Sequence, residues 1–118
     1  MSVADSSSIA VFAPGLDLHV PPDCRQIETP GDLAGALRDP QGLAAMVVWG
    51  PAIPESAVER MADAIRASGI QCIEVRPERW DGRTPSPLSA ACRGVISGFG
   101  IAGILAALDF LRAELRRP

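Results

Sequence analysis

The sequence predicts a three-layer α/β domain built on a mostly parallel sheet of about four to five strands. Three observations carry this expectation. Short apolar, β-branched runs recur along the chain: IAVF at 9–12, AAMVVW at 44–49, QCIEV at 71–75 and VIS at 95–97. Helical periodicity fills the stretches between several of them. Strand and helix therefore alternate, and that order brings parallel strands with right-handed crossovers. A chain of 118 residues suits one core.

Met1–Ser8 is polar and reads as a disordered leader, leaving 9–118 as a single domain. Ile9–Phe12 is the first strand, ended by Ala13-Pro14-Gly15, and Leu16–Asp23 with its Pro21-Pro22 is a loop. Pro30–Arg38 is a short helix with Leu33, Ala36 and Leu37 on one face and Thr29 as N-cap. After strand Ala44–Trp49 comes an amphipathic helix over Ile53–Ser68. Its Val58, Met61, Ala62 and Ile65 recur at i, i+3, i+4 and i+7, and Gly69 stops it. Strand Gln71–Val75 leads into a Pro-rich polar loop, Arg76–Pro87. Strand Val95–Ser97 then precedes a last helix, Ile101–Leu115, with Ile104, Leu105, Leu108, Leu111 and Leu115 expected inward. Only about eight residues join Leu16 to Arg25, where a parallel crossover usually needs about a dozen or more, so a strand near Arg25 is the least secure element.

Composition excludes several classes of function. The net charge is −3 and all eleven basic residues are arginines, scattered without a basic stripe; Tyr is absent and aromatics make up 4%. No nucleic-acid partner is expected. No apolar run is long enough to span a bilayer and no signal peptide is recognisable, so a cytoplasmic protein without membrane association is expected. Cys24, Cys72 and Cys92 are odd in number and widely spaced, which argues against a zinc site or a disulfide framework. Cys72, inside IQCIEV, reads as a small core residue.

The stretch GFGIAG at 98–103 spells G-x-G-x-x-G after a strand and before a helix. A dinucleotide site needs that motif at the first βα turn, with an acidic ribose ligand about 20 residues on. Here it follows the last strand and no later strand remains. The glycines then serve a tight turn and close backbone packing, and no cofactor is expected.

The residues Gly94-Val95-Ile96-Ser97-Gly98-Phe99-Gly100, with Gly103, Ala107 and Leu108, resemble the last strand and helix of the type II 3-dehydroquinate dehydratases. Ile73-Glu74-Val75 is similar to that family's I-E-V before a histidine. Phe12-Ala13-Pro14-Gly15-Leu16-Asp17-Leu18 is similar to its N-G-P-N-L-N-L, and Arg25-Gln26 with Gly31 and Leu33 to its R-Q-S-N-x-E-G-x-L. The resemblance implies a flavodoxin-like fold without a nucleotide, a small-molecule ligand, and a homo-oligomer that is a trimer or a multiple of trimers. It also implies elimination of water from a cyclic hydroxy-acid by a tyrosinate base, a histidine acid and an asparagine.

The sequence departs from that apparatus. There is no Tyr to act as base, Arg76 stands at the histidine position, and Gly15 and Trp49 replace the two asparagines. Arginine stays protonated near neutrality and cannot serve as a general acid. Pro77 has no N–H to offer a carboxylate and Glu78 would repel one. The lid and most of the first crossover helix are missing. Dehydroquinate dehydration is therefore not expected.

Candidate catalytic residues are Asp17, His19 and Arg76. Candidate ligand-binding residues are Gly15, Trp49, Glu78, Arg79, Trp80, Arg83 and Gly98, all at predicted strand ends, where α/β folds place their sites. Each has a plainer alternative: a core or subunit-contact filler for Trp49, a solvated loop for His19, and exposed salt bridges for the run 74–79. Two functions follow. One is a repurposed lyase or cyclase acting on a small cyclic or polyketide-like molecule. The other is a non-catalytic oligomeric scaffold or partner-binding protein. Residual dehydratase activity ranks third.

Overall fold

The computed structural model describes residues 8–78 and 86–116. Five strands form one parallel sheet: β1 (Ile9–Phe12), β2 (Arg25–Ile27), β3 (Ala45–Trp49), β4 (Gln71–Arg76) and β5 (Gly94–Ser97), in the order β2-β1-β3-β4-β5. Every neighbouring pair is parallel: Val11 lies opposite Gln26 on one side and Val47 on the other, and Ile73 lies opposite Gly94. The helices are α1 (Pro30–Arg38), α2 (Val58–Ser68), α3 (Pro87–Ala91) and α4 (Ala102–Leu115).

The two-residue period of a strand sends alternate side chains to opposite faces. Ala10, Phe12, Met46, Val48 and Cys72 join Leu33 and Leu37 of α1, Met61 and Ile65 of α2 and Leu88 of α3 in one core. Val11, Val47, Trp49, Ile73 and Val75 join Ile104, Ala107, Leu108 and Leu111 of α4 in the other. The helix-sheet-helix layering is that of the three-layer α/β fold.

Local sequence explains the element ends. The Thr29 side chain accepts the Asp32 N–H at 3.0 Å and caps α1, with Pro30 at its first turn. Gly69, at φ 75°, closes α2 in the left-handed conformation that glycine adopts without strain.

Four sequence expectations are refined or corrected. The Arg25 region does form a strand, so the sheet has five. The connection 13–24 reaches it without a helix, running extended over the α4 face, where Leu16, Leu18, Val20 and Cys24 pack on that core. An ion pair from Arg112 to Asp23, 2.8 Å, ties the end of this connection to α4. Between the expected loop, which ends at Pro87, and the last strand, where the sequence predicts no element, the chain forms a helix, α3. The first turn of the second helix is a 3-10 turn, Glu55–Ala57, with α-helix only from Val58. Leu105 is not inward: it is 47% exposed. The buried stripe of α4 runs through 104, 107, 108 and 111, and Leu105 lies a quarter-turn or more off it.

Candidate functional site

At the carboxyl ends of β3 and β4 the chain turns away from the sheet and leaves a cleft of about 510 Å³. Gly50 and Pro51 follow β3, Arg76 and Glu78 end β4, and Ser86 and Leu88 open α3. Val58, at the start of α2, closes one side.

The floor of the cleft is a charge network built by strand alternation. Cys72, Glu74 and Arg76 share one face of β4, while Ile73 and Val75 face α4. Glu74 is 1% exposed. Its Oε2 lies 3.0 Å from Arg76 Nε, a charge contact rather than an aligned hydrogen bond. Its Oε1 accepts the Ser89 hydroxyl at 2.5 Å. Arg76 Nη2 donates to Ser86 Oγ at 3.1 Å and to Ser89 Oγ at 3.3 Å. Ser86 also caps α3, its Oγ accepting the Ser89 N–H at 3.3 Å. A carboxylate this deep persists because both of its oxygens have partners.

Gly50 makes room for that carboxylate: a Cβ there would stand 2.6 Å from Glu74 Oε2. The network thus joins β3, β4 and α3. Chemically it is a fixed cation–anion pair under a partly apolar cleft, able to orient a small ligand.

The glycine-rich turn between β5 and α4 is committed to packing. Gly98 and Gly100 have φ of 88° and 57°, and their N–H groups donate to the carbonyls of Arg76 and Pro77, each at 3.3 Å. Gly103 lets α4 lie against the sheet, since a Cβ would meet Val75 Cγ1 at 2.9 Å. The amides of Gly98 and Gly100 are therefore already partnered and do not face a phosphate.

Of the residues proposed from sequence, the structure brings Arg76 and Glu78 to the cleft. Asp17 and His19 do not reach it. They alternate with Leu16, Leu18 and Val20 along the extended connection, so packing of the apolar set turns the polar pair to solvent. Gly15, at φ 79°, shapes the turn after β1. Trp49 is 8% exposed inside the α4-side core, away from the cleft. Gly98 lies in the stapled turn. Arg79, Trp80 and Arg83 lie outside the described residues. Among the described residues no three His, Cys, Asp or Glu side chains converge as metal ligands.

Sequence reasoning passed over Gly50, Ser86 and Ser89, and its alternative of exposed salt bridges over 74–79 is corrected at Glu74, whose ion pair with Arg76 is buried on the carboxylate side. The signal for Glu74 was available: an acidic residue inside an apolar strand, two positions before an arginine and hence on the same face. Ser86-Pro87-Leu88-Ser89 also has the cap-then-proline pattern of a helix start.

No protein-family model and no curated protein matches the sequence. Solved structures do. A type II dehydroquinase from Butyrivibrio crossotus DSM 2876 superposes with a TM-score of 0.59 at 20% identity, covering 88% of this chain and 95% of that one. A type II dehydroquinase from Propionibacterium acnes gives 0.57 at 21% identity, over 92% and 98%. A 3-dehydroquinate dehydratase-like protein from Bifidobacterium longum gives 0.54 at 18% identity, over 94% and 98%. By these superpositions, which cover most of this chain and nearly all of each of the others, the chain has the fold of the type II dehydroquinases.

Proposed function

We propose that this chain is a diverged dehydroquinase relative that no longer dehydrates dehydroquinate and instead binds a small molecule in the cleft at the ends of β3 and β4. Its reaction class on this reading is that of a lyase or cyclase acting on a small cyclic or polyketide-like molecule. One observation carries the reading. Where the resemblance implies a histidine acid stands Arg76, whose guanidinium is engaged by Glu74, Ser86 and Ser89. A guanidinium held in this way can orient a polar ligand group but does not give up its proton. The sequence contains no tyrosine to serve as base. Each missing general acid or base forfeits roughly 10²–10⁴ in rate. The cleft volume of about 510 Å³ lies within the range of small-molecule sites.

The test is incubation of the purified protein with 3-dehydroquinate while watching for the new carbon–carbon double bond. The expected result is no turnover above the uncatalysed background. Turnover that disappears in Arg76→Met would restore the dehydratase reading.

A second reading, a homo-oligomeric scaffold, draws on the exposed Phe99, Ile101, Leu105 and Phe110 at the β5–α4 turn and along α4. Apolar side chains gathered around one helix favour association. The trimer, or multiple of trimers, implied by the resemblance is the expected stoichiometry, and a monomer at micromolar concentration would remove this reading.

A further inference from the structure

We infer that Cys72 and Cys92 are an oxidation site that closes to a reversible disulfide under a hydroperoxide, bracing α3 against β4. The two are far apart in sequence, but the fold sets them side by side. Cys92 is the C-terminal cap of α3, and the next residue, Arg93, donates its N–H to the Cys72 carbonyl at 2.7 Å. The β4–β5 ladder begins at the following pair, Ile73 opposite Gly94, so Cys72 and Cys92 lie one step apart on adjacent strand paths. With such paths about 4.7–4.9 Å apart and a rise of about 3.3 Å per residue, that diagonal is about 6 Å, within the Cα separation of about 4.4–6.8 Å that a disulfide spans. Cys72 lies in the core on the α1, α2 and α3 side of the sheet, and Cys92 packs against that same core, its thiol acting on that of Cys72.

Their unequal exposure orders the chemistry. Cys72 is buried and Cys92 is half-buried, so Cys92 meets the oxidant. Its thiolate attacks the peroxide O–O bond and becomes a sulfenic acid, and with hydrogen peroxide one water leaves. The Cys72 sulfur then attacks Cys92 Sγ, the S–S bond forms, and hydroxide departs with the Cys72 proton as a second water. Two thiols lose two protons and two electrons, which reduce one hydrogen peroxide to two waters.

The consequence reaches the cleft. The N-terminal end of α3 is fastened to β4 by Ser86 and Ser89 through Arg76 and Glu74. A Cys72–Cys92 bond would fasten the C-terminal end of the helix to the same strand. The short helix that carries Leu88 into the cleft wall would then be held at both ends.

The experiment exposes wild-type protein and Cys24→Ser to hydrogen peroxide, quenches, alkylates in denaturant, and reads intact mass and peptide maps. The expected product has lost two hydrogens, yields a peptide linking 72 to 92, and returns to two alkylatable thiols with dithiothreitol. Its thermal midpoint rises by at least about 5 °C, as closing a loop of this length predicts. Cys92→Ser forms no such link and shows no rise. The inference is overturned if Cys92 only gains oxygen while Cys72 stays alkylatable, if Cys24 forms the link instead, or if both thiols survive treatment. Mapping the wild-type protein keeps the result readable should a variant fail to fold.

Discussion

Glu74 and Gly50 depend on each other. Glu74→Gln keeps the shape of the side chain but leaves Arg76 without its anion. Arg76 is partly open to water, so the cost falls below that of a fully buried pair, about 1–3 kcal/mol in urea unfolding. Gly50→Ala presses a methyl toward the same carboxylate oxygen and should cost a similar ~1–3 kcal/mol. Both variants loosen one network, so their effects should fall short of additive in the double mutant. His19→Ala, by contrast, removes an exposed side chain and should change stability by less than about 0.5 kcal/mol. A large loss there would show that the 13–24 connection packs differently. The cysteines set an alkaline limit. Hydrogen bonding from Cys92, together with burial, pushes the Cys72 thiol well above its ordinary 9.0, and burial raises Cys24. The folded state then keeps protons that the unfolded chain releases, so stability is fully present below about pH 9 and falls as pH rises beyond it. Urea titrations under reductant should show that fall, and Cys72→Ala should flatten it.

Among the elements, those with strong periodicity were legible in the sequence: α1, β3, α2, β4 and α4 all lie within a residue or a few of their expected places. Two were not. β2 is three residues, RQI, with one buried side chain, too short to show a pattern. α3 is PLSAA, five residues whose small side chains carry almost no hydrophobic contrast. The site was half legible for the same reason. Arg76 announced itself as a substitution in a recognisable strand, whereas its partners Ser86 and Ser89 sit on the helix that periodicity could not reveal. The outward turn of Asp17 and His19, in turn, was written in the alternation LDLHV. The packing of α4 on the sheet offers its own test: Gly103→Ala places a methyl 2.9 Å from Val75 Cγ1 and 3.3 Å from Ile96 Cγ2. Both neighbours are β-branched and stiff at χ1. A loss of about 1–3 kcal/mol is expected in urea unfolding, and a neutral effect would show that α4 can lift from the sheet.

For the whole molecule, the connection 13–24 holds no helix yet covers part of the α4-side face of the sheet, and Arg112 ties its end to α4 through Asp23 and Cys24. The proposed ligand site is the cleft at the ends of β3 and β4. The most direct measurement is a native mass spectrum of the protein as purified, and after soaking with cyclic hydroxy-acids and cyclic ketones, followed by denaturation to release anything bound. A discrete organic ligand on the wild-type protein, lost in a folded Val58→Trp variant whose indole fills the cleft, is the result predicted. A protein that stays bare under every condition, or a ligand retained undiminished by Val58→Trp, would contradict a small-molecule site in this cleft.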